Sequence, residues 1–396
     1  MGKYNFDEVI DRHGTDCLKY DFGMKRKGRD DLLPLWVADM DFRLPDEILD
    51  EFHKRIDHGI FGYTDPLDEY FAAMNHWFST RYGYTIEPDW VTLGAGIVYA
   101  LGTSVRAFTE EGDAMMVMQP VYYPFREVIE DNGRIFVNNQ LHYEDGKYTI
   151  DFEDFEKKIV DNNVKVFILC NPHNPVGRVW TKEELEKMGD ICLKHNVVIM
   201  DDEIHCDFTY PGFKFTSFMT LDEKYHNSLV LYTSPSKTFN VAGLQPANII
   251  IKNPELRAAY RKANAAAGYS QGSIMGQVAV KSVYTKGDEW VNELVEYITG
   301  NMNYMRDFVK ENFPKAHFVD PEGTYLTWVD FSGYGFTDEE LEHIMVEEAH
   351  LWLDSGKVFG PATAQFERFN LACPRATVVK AMEQLKAALD NHTKWA

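Results

Sequence analysis

The feature that most limits how this chain can fold is an alternation, between residues 114 and 252, of short apolar runs with amphipathic stretches. AMMVMQ (114–119), RIFVNN (134–139), VKVFILC (164–170), NVVIMDDE (196–203), SLVLYTS (228–234) and ANIIIK (247–252) have the length and near-continuous hydrophobicity of buried strands. TKEELEKMGDICLKHN (181–196) reads as a helix, and Ile48, Leu49, Phe52 and Ile56 recur at helical spacing between Pro45 and about Gly59. Strands buried on both faces need helices on both faces, so the pattern predicts an α/β class: a mostly parallel sheet between helices. After about residue 285 the character changes. A long helix is predicted over 293–313, then the apolar TYLTWVDF (324–331), then a final helix over 378–392. The expected division is an N-terminal segment, 1–45, joining the small domain; a large domain, 46–285; and a smaller α+β domain, 286–396.

At 396 residues and 45% hydrophobic content the chain can bury a substantial core. A formal charge of -22 argues against nucleic acid as a partner, because phosphate backbones attract clustered Lys and Arg. The five cysteines are too sparse for a disulfide framework and no pair has metal-ligand spacing, so no metal is expected and a reducing compartment fits. The opening MGKYNFDEVIDRHGTD is polar, and no stretch approaches ~18 uninterrupted apolar residues. The expectation is a cytoplasmic protein without a membrane partner.

Four polar motifs follow apolar runs, where ligands of open α/β sheets gather. SPSKTFNVAGLQ (234–245) places Lys237 at a strand exit; a lone loop lysine is ordinarily a solvated charge, and the neighbouring motifs change that reading. NVVIMDDEIHCDF (196–208) ends a strand in Asp201, Asp202, Glu203 and His205; an acid there either caps a helix or sits beneath a pyridinium nitrogen and keeps the ring an electron sink. CNPHNPVGRVW (170–180) makes a rigid turn whose Asn residues are turn formers or donors to a phenolate oxygen. VTLGAGIVYALGTSVRAF (91–108) sets Gly94 and Gly96 before a helical run, whose free N–H groups stabilise a phosphate. It matches neither G-x-G-x-x-G nor a P-loop, which disfavours dinucleotides and nucleoside triphosphates.

In this order the motifs resemble the fold-type I pyridoxal 5′-phosphate (PLP) enzymes of the class I/II aminotransferase superfamily, across nearly the whole chain. LPLWVADMDFRLPDEI (33–48), HGIFGYTDP (58–66), MQPVYYPF (118–125), DDEIH (201–205) and FNLACPR (369–375) narrow the resemblance to the cystathionine β-lyase or cysteine-S-conjugate β-lyase branch. The resemblance implies that residues 46–285 bind PLP, with Lys237 as the Schiff-base lysine and the base for the α-proton. It further implies Asp202 against the pyridinium nitrogen, Asn174 and His205 near the phenolic oxygen, and Tyr122 stacked on the ring as a second catalytic side chain. Gly96, Ile97, Val98, Ser234 and Ser236 would hold the phosphate, joined by Tyr63 from the other subunit of a homodimer. Arg368 would clamp the α-carboxylate of a small amino-acid substrate, with Ala38 and Asn174 beside it, while Arg375 would be structural. Many aminotransferases of the superfamily carry Arg eight residues after the lysine; Gln245 stands here and suits the lyase branch. The segment GPATAQFE (360–367) lacks the glycine-rich run expected of that branch.

Loss of the α-proton is common to the superfamily. With a thiolate on the β-carbon the next step is elimination, giving thiol, pyruvate and ammonia; otherwise it is transamination. The resemblance implies β-elimination from L-cystathionine or a related L-cysteine S-conjugate, with an aminotransferase as the alternative and a PLP-binding regulatory protein as a third reading.

Overall fold

In the computed structural model, which describes residues 2–392, the apolar runs become one seven-stranded sheet. Its strands are β1 (Val91–Ala95), β2 (Ala114–Val117), β3 (Ile135–Asn138), β4 (Val166–Cys170), β5 (Val198–Asp202), β6 (Leu229–Thr233) and β7 (Pro246–Ile250). The spatial order is β1-β7-β6-β5-β4-β2-β3, with every pair parallel except those of β7, which runs antiparallel to β1 and β6. Alternate residues enter two different cores: Phe167, Ile199 and Leu231 on one face, Ile168, Met200 and Val230 on the other. Both faces being dry explains why these strands read as continuous apolar runs.

One strand departs from its expectation. Residues 134–139 were expected to form a buried strand, but β3 is the sheet edge, and Ile135 is 54% exposed because nothing pairs beyond it. The helix Lys182–Lys194 begins in a capping box, Thr181 accepting from the Glu184 N–H while the Glu184 carboxylate accepts from the Thr181 N–H. Leu185, Met188, Ile191 and Cys192 form its buried stripe.

A second core gathers around a four-stranded antiparallel sheet of His317–Val319, Leu326–Asp330, Phe366–Asn370 and Asp354–Ser355. The N-terminal segment enters it: Leu33–Pro34 pairs in parallel with Leu351–Trp352, and Leu35 is fully buried there. The helix Asp288–Asn312 gives Trp290, Leu294 and Ile298 to the large core and Met302, Met305 and Val309 to the second, so one rod of packed side chains joins the two.

Candidate active site

The carboxyl ends of the parallel strands open into a cavity of about 360 Å³, which collects most of the titratable residues singled out in the sequence. Two larger surface clefts, of about 680 and 510 Å³, lie elsewhere, the first between exposed helices and the second beside the hairpin His142–Thr149. The strand-end cavity is set apart by its chemistry rather than its size.

Lys237 follows β6 through Ser234 and Ser236, and its Nζ donates to the Ala38 carbonyl at 2.7 Å. Burial lowers its pKa to about 8; Asp39 and Asp202 oppose that shift and Arg368 adds to it. Asp202 ends β5, where parallel register aligns it with Cys170 of β4 and Tyr232 of β6. Burial raises its carboxyl to about 7, against the Ile204 N–H at 3.1 Å and the Lys237 charge. A group so buried ionises fully only beside a cation, as a protonated ring nitrogen would be.

Arg368 is buried on the strand Phe366–Asn370, its guanidinium 4.8 Å from the Phe359 ring centroid. It donates to Asn174 Oδ1 at 3.0 Å, to the Trp36 carbonyl at 2.7 Å and to Asp354. Its Nε has no partner among the described residues. Spending the Asn174 oxygen on Arg368 leaves the Asn174 amide N–H groups as donors. The backbone around Ala38 is strapped down: Asn370 donates to the Val37 and Asp39 carbonyls, Asn240 to that of Met40, and Tyr325, like Lys237, to that of Ala38.

His205 is buried with Nδ1 unpartnered among the described residues. Burial, then the charges of Lys237 and Arg368, push its pKa well down, so the imidazole is neutral. Tyr122 lines the cavity, its ring 5.6 Å from that of Tyr123. The helix Ile97–Phe108 starts at the cavity without a side-chain cap, and Gly96 before it has φ 87° and ψ 160°, a conformation open essentially to glycine alone. Nothing lies within 4 Å of where a Gly96 Cβ would stand, so the helix start is an open cradle for an anion. Ile97, Val98 and Ser236 line it.

Ser234, Tyr63 and Arg375 lie outside the cavity wall of their own protomer. Ser234 does not line the cavity; its hydroxyl donates to the Pro246 carbonyl and accepts from the Ser236 N–H, holding the turn that presents Ser236. Tyr63 is 98% exposed, away from the cavity wall of its own protomer. Arg375 lies outside the cavity and donates to Asn301. The cavity also contains residues the sequence reading passed over: Leu18, Trp36, Tyr123 and Asp354. An open helix start, a buried acid awaiting a cation, a low-pKa amine and an unpartnered guanidinium N–H together fit a ligand with a phosphate, a ring nitrogen and a carbonyl carbon, which is the donor pattern that PLP requires.

Known proteins agree. The family described as aminotransferase class I and II matches residues 30–385. Cystathionine beta-lyase PatB of Bacillus subtilis is 42% identical over 385 residues, covering 97% of this chain and 100% of PatB. The crystal structure of cystalysin from Treponema denticola, which contains a pyridoxal 5′-phosphate cofactor, superposes with a TM-score of 0.95 at 37% identity, covering 98% of this chain and 99% of that one. The PLP-bound C-S lyase of Staphylococcus hominis, complexed with L-cycloserine, gives a TM-score of 0.90 at 34% identity, with 98% of each chain covered. The chain belongs to the class I and II aminotransferase family, and its cofactor is pyridoxal 5′-phosphate.

Proposed function

We propose that this protein is a carbon–sulfur β-lyase that cleaves L-cystathionine or related L-cysteine S-conjugates to thiol, pyruvate and ammonia. The observation that carries the reading is Lys237, a buried amine with pKa lowered to about 8, in one cavity with Asp202 and the Arg368–Asn174 pair. Likeness to PatB over 97% of this chain and all of PatB supports β-elimination over transamination.

Bound PLP supplies an electron sink conjugated to the substrate α-carbon. Lys237 would hold that group, and its amine would take the substrate α-proton; an amine with pKa near 8 is a competent base near neutral pH. Asp202 would keep the ring nitrogen protonated, Asn174 and neutral His205 would serve the phenolic oxygen, and Tyr122 would pack against the ring. Gly96, Ile97, Val98 and Ser236 hold the phosphate. Arg368 binds the α-carboxylate beside Ala38 and fixes the Cα–H bond towards Lys237. The electron pair left by the α-proton would form a Cα–Cβ double bond as the β-carbon–sulfur bond breaks with its own pair leaving on sulfur, and water would complete the release of pyruvate and ammonia.

The working unit in this reading is a homodimer. Ile60, Phe61, Tyr63 and Leu67 are 66%, 56%, 98% and 78% exposed on one arm, an apolar cluster suited to insertion beside a second subunit's phosphate cradle. The five free thiols fit a reducing cytoplasm. No helix among the described residues is long and apolar enough to cross a membrane, and no group of three or more potential metal ligands occurs among them.

The test is to incubate PLP-loaded protein with L-cystathionine, and separately with S-alkyl-L-cysteines, following thiol and pyruvate without any 2-oxo acid. Catalytic release of both is expected. Turnover that needs a 2-oxo acid and frees no thiol would replace the reading with an aminotransferase, and a PLP-loaded protein inert towards every amino acid would favour the regulatory one.

A further inference from the structure

The cavity wall carries two cations, Lys237 and Arg368, and two carboxylates, Asp202 and Asp354. The first three have roles in the reading above; Asp354 has none. It lies on the two-residue strand Asp354–Ser355, directly opposite Arg368 in antiparallel register, and its Oδ2 accepts from Arg368 Nη2. The two side chains are 14% and 3% exposed, so the pair is shielded from water yet open to the cavity.

The other charges acting on Asp354 offset one another, and Glu367, opposite Ser355, is neutral because burial holds its carboxyl well above the usual carboxylate range. Lys27 of the helix Gly23–Lys27 and Glu342 of the helix Asp338–His343 both act on it, but they form an ion pair together. The Tyr123 phenol is uncharged, burial having raised its pKa. Arg368 is therefore the principal counter-charge of Asp354. When a substrate α-carboxylate also takes Arg368, two anions share one guanidinium of the cavity wall; Arg26 lies 5.3 Å from the Trp36 ring centroid but does not line the cavity, so the part bounded by Leu18, Trp36 and Tyr123 is left short of positive charge beside Asp354. In a poorly hydrated cavity a third anion is repelled strongly, whereas a cation is attracted.

We propose that Asp354 is the charge-selecting residue of this cavity: it admits amino acids whose far end carries no net negative charge, the ammonium-bearing zwitterionic end of L-cystathionine included, and rejects those whose far end is a carboxylate with no ammonium beside it. The same repulsion disfavours dicarboxylic 2-oxo acids as amino acceptors, which turns the site away from transamination. The inference rests on the reading of the cavity as an amino-acid site clamped by Arg368. It does not depend on which bond is broken afterwards.

The test uses the PLP-loaded enzyme and amino acids of equal main-chain length that lack a β-leaving group: L-lysine, L-norleucine and L-2-aminoadipate. Dissociation constants come from the change each produces in the cofactor's visible absorption. Wild type is expected to bind L-lysine at least about thirtyfold more tightly than L-2-aminoadipate, with L-norleucine between them. Asp354→Asn is expected to shrink that ratio below about threefold, and Asp354→Glu to keep it within about threefold of wild type. Each ratio is taken within one protein, so a general loss of affinity from a loosened Arg368 cancels. Equal binding of all three ligands by wild type, or an unchanged ratio in Asp354→Asn, would overturn the proposal. None of these ligands can eliminate, so failed thiol release in the earlier assay would refute the lyase reading while leaving this measurement decisive on its own question.

Discussion

Asp202 and its neighbours Asp201 and Glu203 carry the same chemical group into equally buried surroundings, yet alternate residues of a strand point to opposite faces. Asp202 faces the cavity, close enough to Lys237 for that charge to act on it, and burial lifts it only to about 7. On the other side, both Asp201 oxygens and Glu203 Oε2 lack a donor among the described residues. Burial and the adjoining Glu203 push Asp201 well above the usual carboxylate range, and burial pushes Glu203 up to about 8. Burial and mutual repulsion both favour the protonated, neutral form of this pair, while Glu203 Oε1 takes the Phe218 N–H at 3.2 Å. The end of β5 thus divides its acids: cavity-facing Asp202 is kept for a cationic partner, and Asp201 with Glu203, just past the strand, is neutralised as structure.

The severest way to break that contrast is at the cavity-facing lysine. Lys237→Ala is expected to reduce pyruvate release from an S-alkyl-L-cysteine by at least about a thousandfold with the melting temperature nearly unchanged. Release within tenfold of wild type would remove Lys237 from the chemistry. Next in size is Arg368→Lys. Lysine keeps the charge but cannot bridge Asn174, Trp36 and a carboxylate at once, so KM should rise roughly a hundredfold with kcat falling much less. A loss confined to kcat would contradict the clamp.

The smallest effect sharpens the other side of the comparison. Glu203 has an ordinary pKa of 4.5 and a folded value of about 8, so between those pH values the folded chain keeps a proton that the unfolded chain has released. Stability from this group is therefore full below pH 4.5 and is lost as pH rises towards 8. In thermal melts of cofactor-free protein, Glu203→Gln should flatten the decline in melting temperature between pH 5 and pH 8 by a few degrees. An unchanged slope would mean that the pair holds no extra proton.

The fold and most of the cavity were legible in the sequence because their signals are local. A strand buried on both faces writes itself as VFILC or LVLYT, and its carboxyl end then names the next few residues as cavity candidates: Asn174, Asp202 and Lys237 each follow such a run. Asp354 was not legible. It belongs to a strand of two residues, and its meaning comes from antiparallel register with Arg368, fourteen positions further on. Trp36 escaped for a similar reason, since it acts through its carbonyl, which any residue could offer. The exposed edge at Ile135 was hidden because an edge strand can be as apolar as a central one.

The most direct test of the division within β5 is to measure pyruvate release from S-ethyl-L-cysteine by PLP-loaded wild type, Asp202→Asn and Asp201→Asn side by side. Asp202→Asn should lose at least about a hundredfold in kcat, because an amide cannot hold the ring nitrogen protonated, while Asp201→Asn stays within about threefold of wild type. Equal losses in the two variants, or an Asp202→Asn enzyme as fast as wild type, would contradict it.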